Sequence, residues 1–133
     1  LSNERRYEDD NTCFACGRNN PHGLQLPIVP ADDGVALDWS VPARYTGWRD
    51  VVHGGIVSTI LDELLAWACT RRGTYSVTAE LTVRFRRPLQ CETPFRGFGR
   101  VTAEKGRVLF AESRITLPDG TLVAEATGKL MKV

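Results

Sequence analysis

His53-Gly54-Gly55-Ile56-Val57-Ser58-Thr59-Ile60-Leu61-Asp62-Glu63-Leu64-Leu65-Ala66-Trp67-Ala68-Cys69 is the stretch on which the fold turns. Val57, Ile60, Leu61, Leu64 and Ala68 recur at helical spacing and form one wide apolar stripe. The spacing predicts a long helix that stops at Arg71-Arg72-Gly73, where cations suit the negative end of the helix dipole and glycine supplies a left-handed cap. Two features are foreign to an ordinary core helix: the paired glycines at its start and Asp62 in its middle. The first N–H groups of a helix have no internal acceptor and carry partial positive charge, so Gly54 and Gly55 can present bare amides to an oxyanion or a carbonyl. Without a second feature, the glycines would read as a relaxed loop-to-helix junction.

Asp62 is that second feature. At 100° per residue it shares a face with Gly55, Ser58, Ala66 and Cys69, all small, so another surface can approach the carboxylate. Glu63 falls about 100° away and is expected at an exposed margin. Gly54 and Asp62 are eight residues apart, which places them about 12 Å from each other along one helix. A carbonyl held at the helix start is therefore out of reach of the acid on the same helix. Two antiparallel copies of the helix bring the acid of each beside the glycines of the other, so a site using both groups requires a homodimer.

Around the helix the chain reads as strands. Leu24–Val29 is a short candidate for an edge or bend because of Pro27, and Asp32-Asp33-Gly34 turns into an alternating run over Val35–Val41. After the helix, Ser76–Arg87, Phe95–Glu104, Arg107–Leu117 and Thr121–Lys132 are expected as a four-strand meander, with Glu104-Lys105-Gly106 and Pro118-Asp119-Gly120 as turns. In Ser76–Arg87, Ala79, Leu81, Val83 and Phe85 alternate with Thr78, Glu80, Thr82, Arg84 and Arg86, which assigns the two sets to opposite faces. The last strand has a face of Leu122, Ala124, Ala126, Gly128 and Leu130, small in its middle, where a helix can nestle. The order predicts an α+β fold, a curled antiparallel sheet wrapped around one long central helix. Residues 1–12 are expected as a charged lead-in and 13–133 as a single domain.

The net charge of +1 over 133 residues gives no reason to expect nucleic acid, and no apolar run approaches membrane-spanning length. Leu-Ser-Asn-Glu-Arg-Arg at the start lacks the build of a signal peptide, so a cytoplasmic protein is expected. Four cysteines are present. Cys13-x-x-Cys16-Gly17 has the form of half a zinc knuckle and His22 is a third candidate ligand, but Cys69 and Cys91 are too far apart to supply the second half. A plain reduced loop is favoured, with no metal and no organic cofactor.

The element order, His53-Gly54-Gly55 with Asp62 nine residues after the histidine, and Arg84-Phe85-Arg86-Arg87-Pro88 closing the next strand together resemble the hotdog-fold acyl-CoA thioesterases, most nearly the phenylacetate-degradation type. The lead-in Cys13-Phe14-Ala15-Cys16-Gly17 through Asn20-Pro21-His22-Gly23-Leu24 is similar to that of many bacterial members. The resemblance implies hydrolysis of an acyl- or aryl-acyl-CoA by a homodimer that assembles further into a homotetramer. It assigns carbonyl polarisation to the N–H of Gly54, helped by Gly55, and water activation or direct attack to Asp62 of the other subunit. His53 would orient the loop or substrate, and Thr78 would help position the water. Arg84, Arg86 and Arg87, with Arg96 and Arg100 behind them, are candidates for the phosphates of coenzyme A; as plain sequence they are an exposed strand face blunted by charge. Some relatives carry Asn six residues before the histidine, where this chain has Gly47. Two other functions fit the same scaffold: a non-catalytic acyl-CoA binder, which has no need of Asp62, and a dehydratase or hydratase, which needs a histidine–acid pair differently placed.

Overall fold

A computed structural model describes residues 7–133, so the first half of the expected lead-in lies outside the described residues. The elements are β1 (Val29–Ala31), β2 (Gly34–Trp39), a short 3-10 turn (Ala43–Tyr45), α1 (Gly54–Arg71), β3 (Ser76–Phe85), β4 (Phe95–Lys105), β5 (Val108–Thr116) and β6 (Leu122–Lys132). All strand pairs are antiparallel, in the order β1-β2-β4-β5-β6-β3.

The class is α+β with one central helix, but the sheet does not wrap that helix. It is an open six-stranded sheet whose two ends, β1 and β3, are unpaired with each other, and it neither closes nor curls strongly. The physical reason lies in the strand faces. β4, β5 and β6 alternate buried and accessible residues, so one face is packed and the other carries Arg96, Arg100, Arg114, Glu125 and Lys129. A one-sided sheet buries its apolar face under a single helix without closing. At the β1 edge, three residues with Pro30 in the middle end the ladder.

The expected meander is also only partly formed. β4-β5-β6 is a meander, whereas β3 pairs with β6 at the far edge, so the chain crosses the sheet with α1 between β2 and β3. Leu24–Val29 is not a strand. Its N–H groups at Leu24 and Leu26 donate to Phe14 and Ala15 carbonyls, Gln25 has φ +54°, and strand geometry starts only at Val29.

α1 packs through Val57, Ile60, Leu61, Leu64 and Ala68, as the spacing predicts, with Leu65 and Cys69 widening the stripe. The sheet meets it with glycines. A Cβ at Gly97 would lie 2.8 Å from Leu64 Cδ1, one at Gly99 2.6 Å from the Leu64 carbonyl oxygen, and one at Gly128 2.6 Å from Leu65 Cδ1. The Ser113 hydroxyl, buried, donates to the Leu61 carbonyl at 2.9 Å and ties the helix to β5 one residue before Asp62. At the other end the Arg71 guanidinium donates to the carbonyls of Ala31, Asp32 and Gly34, fastening the helix to the β1–β2 hairpin. Gly99→Ala must displace helix backbone rather than a flexible side chain, and is expected to destabilise the fold by about 1–3 kcal/mol, read from urea unfolding.

Candidate active site

His53 is the N-cap of α1, in extended backbone geometry at φ −58°, ψ 134°. Its Nδ1 accepts from the Gly55 N–H at 2.8 Å, and its carbonyl accepts from Ile56 and Val57. Three of the first four helix donors are thereby satisfied. Of these four donors, only the Gly54 N–H has no acceptor among the described residues. The imidazole thus does what a Ser or Asp cap ordinarily does, and it removes Gly55 from the pair of bare amides expected there. The remaining donor is the amide of Gly54.

Gly54 lines a groove of about 520 Å³ with Trp48, Val52, Val57, Phe85, Arg86 and Arg87 among its other walls. The Phe85 ring comes within 3.7 Å of a Cβ placed on Gly54, so a side chain there would project beside the ring. Trp48 is 85% exposed and Phe85 56% exposed, an unusual state for aromatic residues that line one groove. Gly47, where some relatives have Asn, lies against His53: a Cβ there would be 3.3 Å from the histidine Cα. Arg87 reaches the groove with no ion-pair partner among the described residues, while Arg86 is held by Glu125 at 2.8 Å. Arg84 is not among the groove residues. Arg96 pairs with Asp38, and Arg100 with Asp33 and Glu112, so both are engaged elsewhere.

Asp62 sits half-buried in mid-helix, and the Thr78 hydroxyl donates to its Oδ1 at 2.8 Å. Plain alternation puts Thr78 on the opposite face from Leu81, but the ladder between β3 and β6 slips between Thr78 and Glu80. The extra residue of this bulge returns Thr78 to the face that Leu81, Val83 and Phe85 share, opposite Leu130, Gly128, Ala126 and Ala124. A bulge therefore aims the hydroxyl at the carboxylate. His53, Gly54, Gly55, Arg86 and Arg87 gather at one end of the helix, and Asp62 with Thr78 in its middle; the two groups do not meet within one protomer.

Glu63, expected at an exposed margin, is half-buried beneath the N-terminal loop. Burial holds its carboxyl above the ordinary carboxylate range; a hydrogen bond with Cys16 opposes this, and the charge of Asp62 adds to it. Burial likewise pushes the Cys16 thiol up, and the Glu63 carboxylate adds to it. The Cys13 thiol also faces the Glu63 carboxylate, Sγ to Oε1 4.0 Å, and local patterning carries no sign of that contact between residues fifty apart.

Residues 50–124, more than half of the chain, match the family model described as the thioesterase superfamily. The chain belongs to the thioesterase superfamily. Among superfamily relatives it is 30% identical over 83 residues to the acyl-coenzyme A thioesterase PaaI of Escherichia coli strain K12, a match covering 62% of this chain and 54% of that protein. The chain thus spans about half the length of the curated relative it matches. A crystal structure of a thioesterase superfamily protein superposes with TM-score 0.81 at 25% identity, covering 88% of this chain and 61% of that one. A phenylacetic acid degradation-related protein from Ralstonia eutropha JMP134 superposes with TM-score 0.71 at 26% identity, covering 81% and 85%. The superfamily match begins at Asp50 and takes in the cap, the helix and the bulged strand, and thus every residue of the two groups above.

Proposed function

We propose that this chain is an acyl-CoA thioesterase whose active unit is a homodimer. The observation that carries the proposal is the division of labour along α1: one unsatisfied amide, Gly54, at a groove, and one oriented carboxylate, Asp62, about 12 Å away. Each is half of a hydrolytic site, and two-fold pairing of the helices joins the halves twice. The E. coli relative's designation as an acyl-coenzyme A thioesterase supports the choice of substrate class.

β3 is the edge that a second copy would cover. Ten residues long and unpaired on its outer side, it exposes Val77, Leu81 and Phe85. The small face of α1 carrying Gly55, Ser58, Asp62 and Ala66 lies half open or exposed. A twin protomer seated there covers apolar surface and brings its own Gly54 toward Asp62.

In the assembled site the Gly54 N–H polarises the thioester carbonyl, and charge grows on that oxygen as water adds. Asp62 of the other subunit takes the proton from the attacking water. The carbon–sulfur bond then breaks, the proton passes to the departing thiolate, and free acid and coenzyme A leave. Thr78 holds one carboxylate oxygen, so the other is turned to the water. A thioester is already activated, and these groups suffice for its hydrolysis. The apolar and aromatic groove walls suit an acyl or aryl-acyl group, with Arg87 at hand for the phosphates.

A panel of straight-chain and aryl acyl-CoAs, assayed by thiol release, tests the proposal; turnover of none of them sinks it. Because Arg87 lines the groove and makes no ion pair within 4 Å among the described residues, Arg87→Ala is expected to raise KM about tenfold with kcat little changed, the size of one charge-assisted hydrogen bond. Arg86→Ala should do less, since Glu125 already holds that guanidinium.

A further inference from the structure

We infer that Cys13, Cys16 and Glu63 bind a thiophilic divalent cation, zinc, which clips the N-terminal loop to the middle of α1. This site is separate from the amide and the acid of the proposed hydrolase, and it stands whether or not the chain turns over acyl-CoA.

The three side chains each present one ligand atom, and these atoms lie within 4.8 Å of one another. Zinc–sulfur bonds of about 2.3 Å and zinc–oxygen bonds of about 2.0–2.2 Å set tetrahedral ligand atoms about 3.5 Å apart, so the cluster needs to contract by only about 1 Å. His22, the third ligand candidate in the sequence, is not in the cluster; the helix supplies a carboxylate in its place.

Both sides of the cluster are held by other structure. On the loop side, the Gly17 N–H donates to the Cys13 carbonyl at 2.8 Å and closes the turn that carries both cysteines. A Cβ at Gly17 would lie 2.5 Å from the Asn11 oxygen and from the Cys13 nitrogen, so the turn demands glycine. Ala15, between the cysteines, is buried, and its carbonyl accepts from Leu26. On the helix side, the Glu63 carboxylate faces the two thiols and the Trp67 indole. No Lys or Arg forms an ion pair with it among the described residues. A half-buried carboxylate whose company is two weak sulfur donors and one indole N–H, with no cation paired to it among the described residues, is poorly compensated, and a cation shared with two thiolates compensates it. Two thiolates and one carboxylate select zinc over magnesium or calcium, and the fourth corner falls to water.

The test uses the full chain, reduced with a phosphine and stripped with a chelator. It is titrated with Zn²⁺ against a chromophoric competitor, and separately with Co²⁺. The expected result is one Zn²⁺ per chain with Kd tighter than about 10 µM, and a Co²⁺ adduct showing thiolate-to-metal charge transfer and the strong visible bands of a tetrahedral site. Cys13→Ser and Cys16→Ser are each expected to weaken Zn²⁺ binding about a hundredfold, and Glu63→Gln about tenfold, with far-ultraviolet dichroism unchanged. Binding weaker than about 10 µM, a Co²⁺ spectrum without charge transfer, or unaltered affinity in both serine variants overturns the proposal. So does a Cys13–Cys16 disulfide that forms in air and, once reduced, shows no metal affinity.

Discussion

Asp62→Asn is expected to lower kcat for acyl-CoA hydrolysis by about two to four orders of magnitude while leaving KM and the melting temperature nearly unchanged. The substitution is nearly isosteric. An asparagine carbonyl still accepts from the Thr78 hydroxyl, which now donates to Oδ1 at 2.8 Å, and the helix keeps its buried stripe of Val57, Ile60, Leu61 and Leu64. What disappears is the capacity to take a proton from water. A loss confined to kcat is the mark of an interaction made in the transition state alone, which separates an acid–base role from binding. Thiol release measured against substrate concentration, with a thermal melt of both proteins, decides the matter. Equal rates in wild type and variant would remove Asp62 from the chemistry and revive a non-catalytic binder.

The helix was legible because one periodicity governs its buried face: apolar residues at three and four residue steps from Val57 to Ala68. Leu24–Val29, expected as a short strand, is not one, whereas the longer strands β2 to β6 were legible one at a time by their alternation. Their order was not, because alternation tells a strand which face it buries and nothing about its neighbour. Ser76–Phe85 reads equally well beside β4 or β6; it lies beside β6 because the chain passes over the sheet with α1 before entering β3. Nor does alternation disclose that the sheet stays open.

Among the residues of the proposed site, Asp62 and Gly54 stood out as violations of helix patterning, and such violations are where a sequence speaks of something other than folding. Thr78 was singled out by resemblance, yet strict alternation set it on the face opposite Leu81. The bulge that corrects this leaves no compositional trace in Thr78-Ala79-Glu80. The loss of Gly55 as a free donor depends on the rotamer of His53, which closes back on its own helix. Glu63 was misjudged because helical position alone cannot reveal a loop fifty residues upstream folding over it.

Gly54→Pro is expected to lower kcat by about two to three orders of magnitude, and to regain activity when paired with Asp62→Asn in one dimer. Proline is suited to this position. Gly54 is the first residue of α1, where a missing N–H disturbs no helical hydrogen bond, and His53 at φ −58°, ψ 134° already has the extended geometry that a residue before proline prefers. The one first-turn donor without an acceptor among the described residues is therefore deleted while the helix and its cap at Gly55 remain. In a two-fold dimer each site takes its amide from one protomer and its acid from the other. A heterodimer of the two variants holds one site with both groups and one with neither, and should run at about half the wild-type rate per dimer. Random reassortment of equal amounts makes about half the dimers mixed, so the mixture should recover about a quarter of wild-type activity from two nearly inactive proteins. Differently tagged variants, co-expressed and purified through both tags, give the heterodimer directly. If amide and acid of one protomer worked together, mixing would restore nothing. The helix geometry argues against that outcome, because Gly54 and Asp62, eight positions apart in α1, are held about 12 Å from each other on a rigid rod.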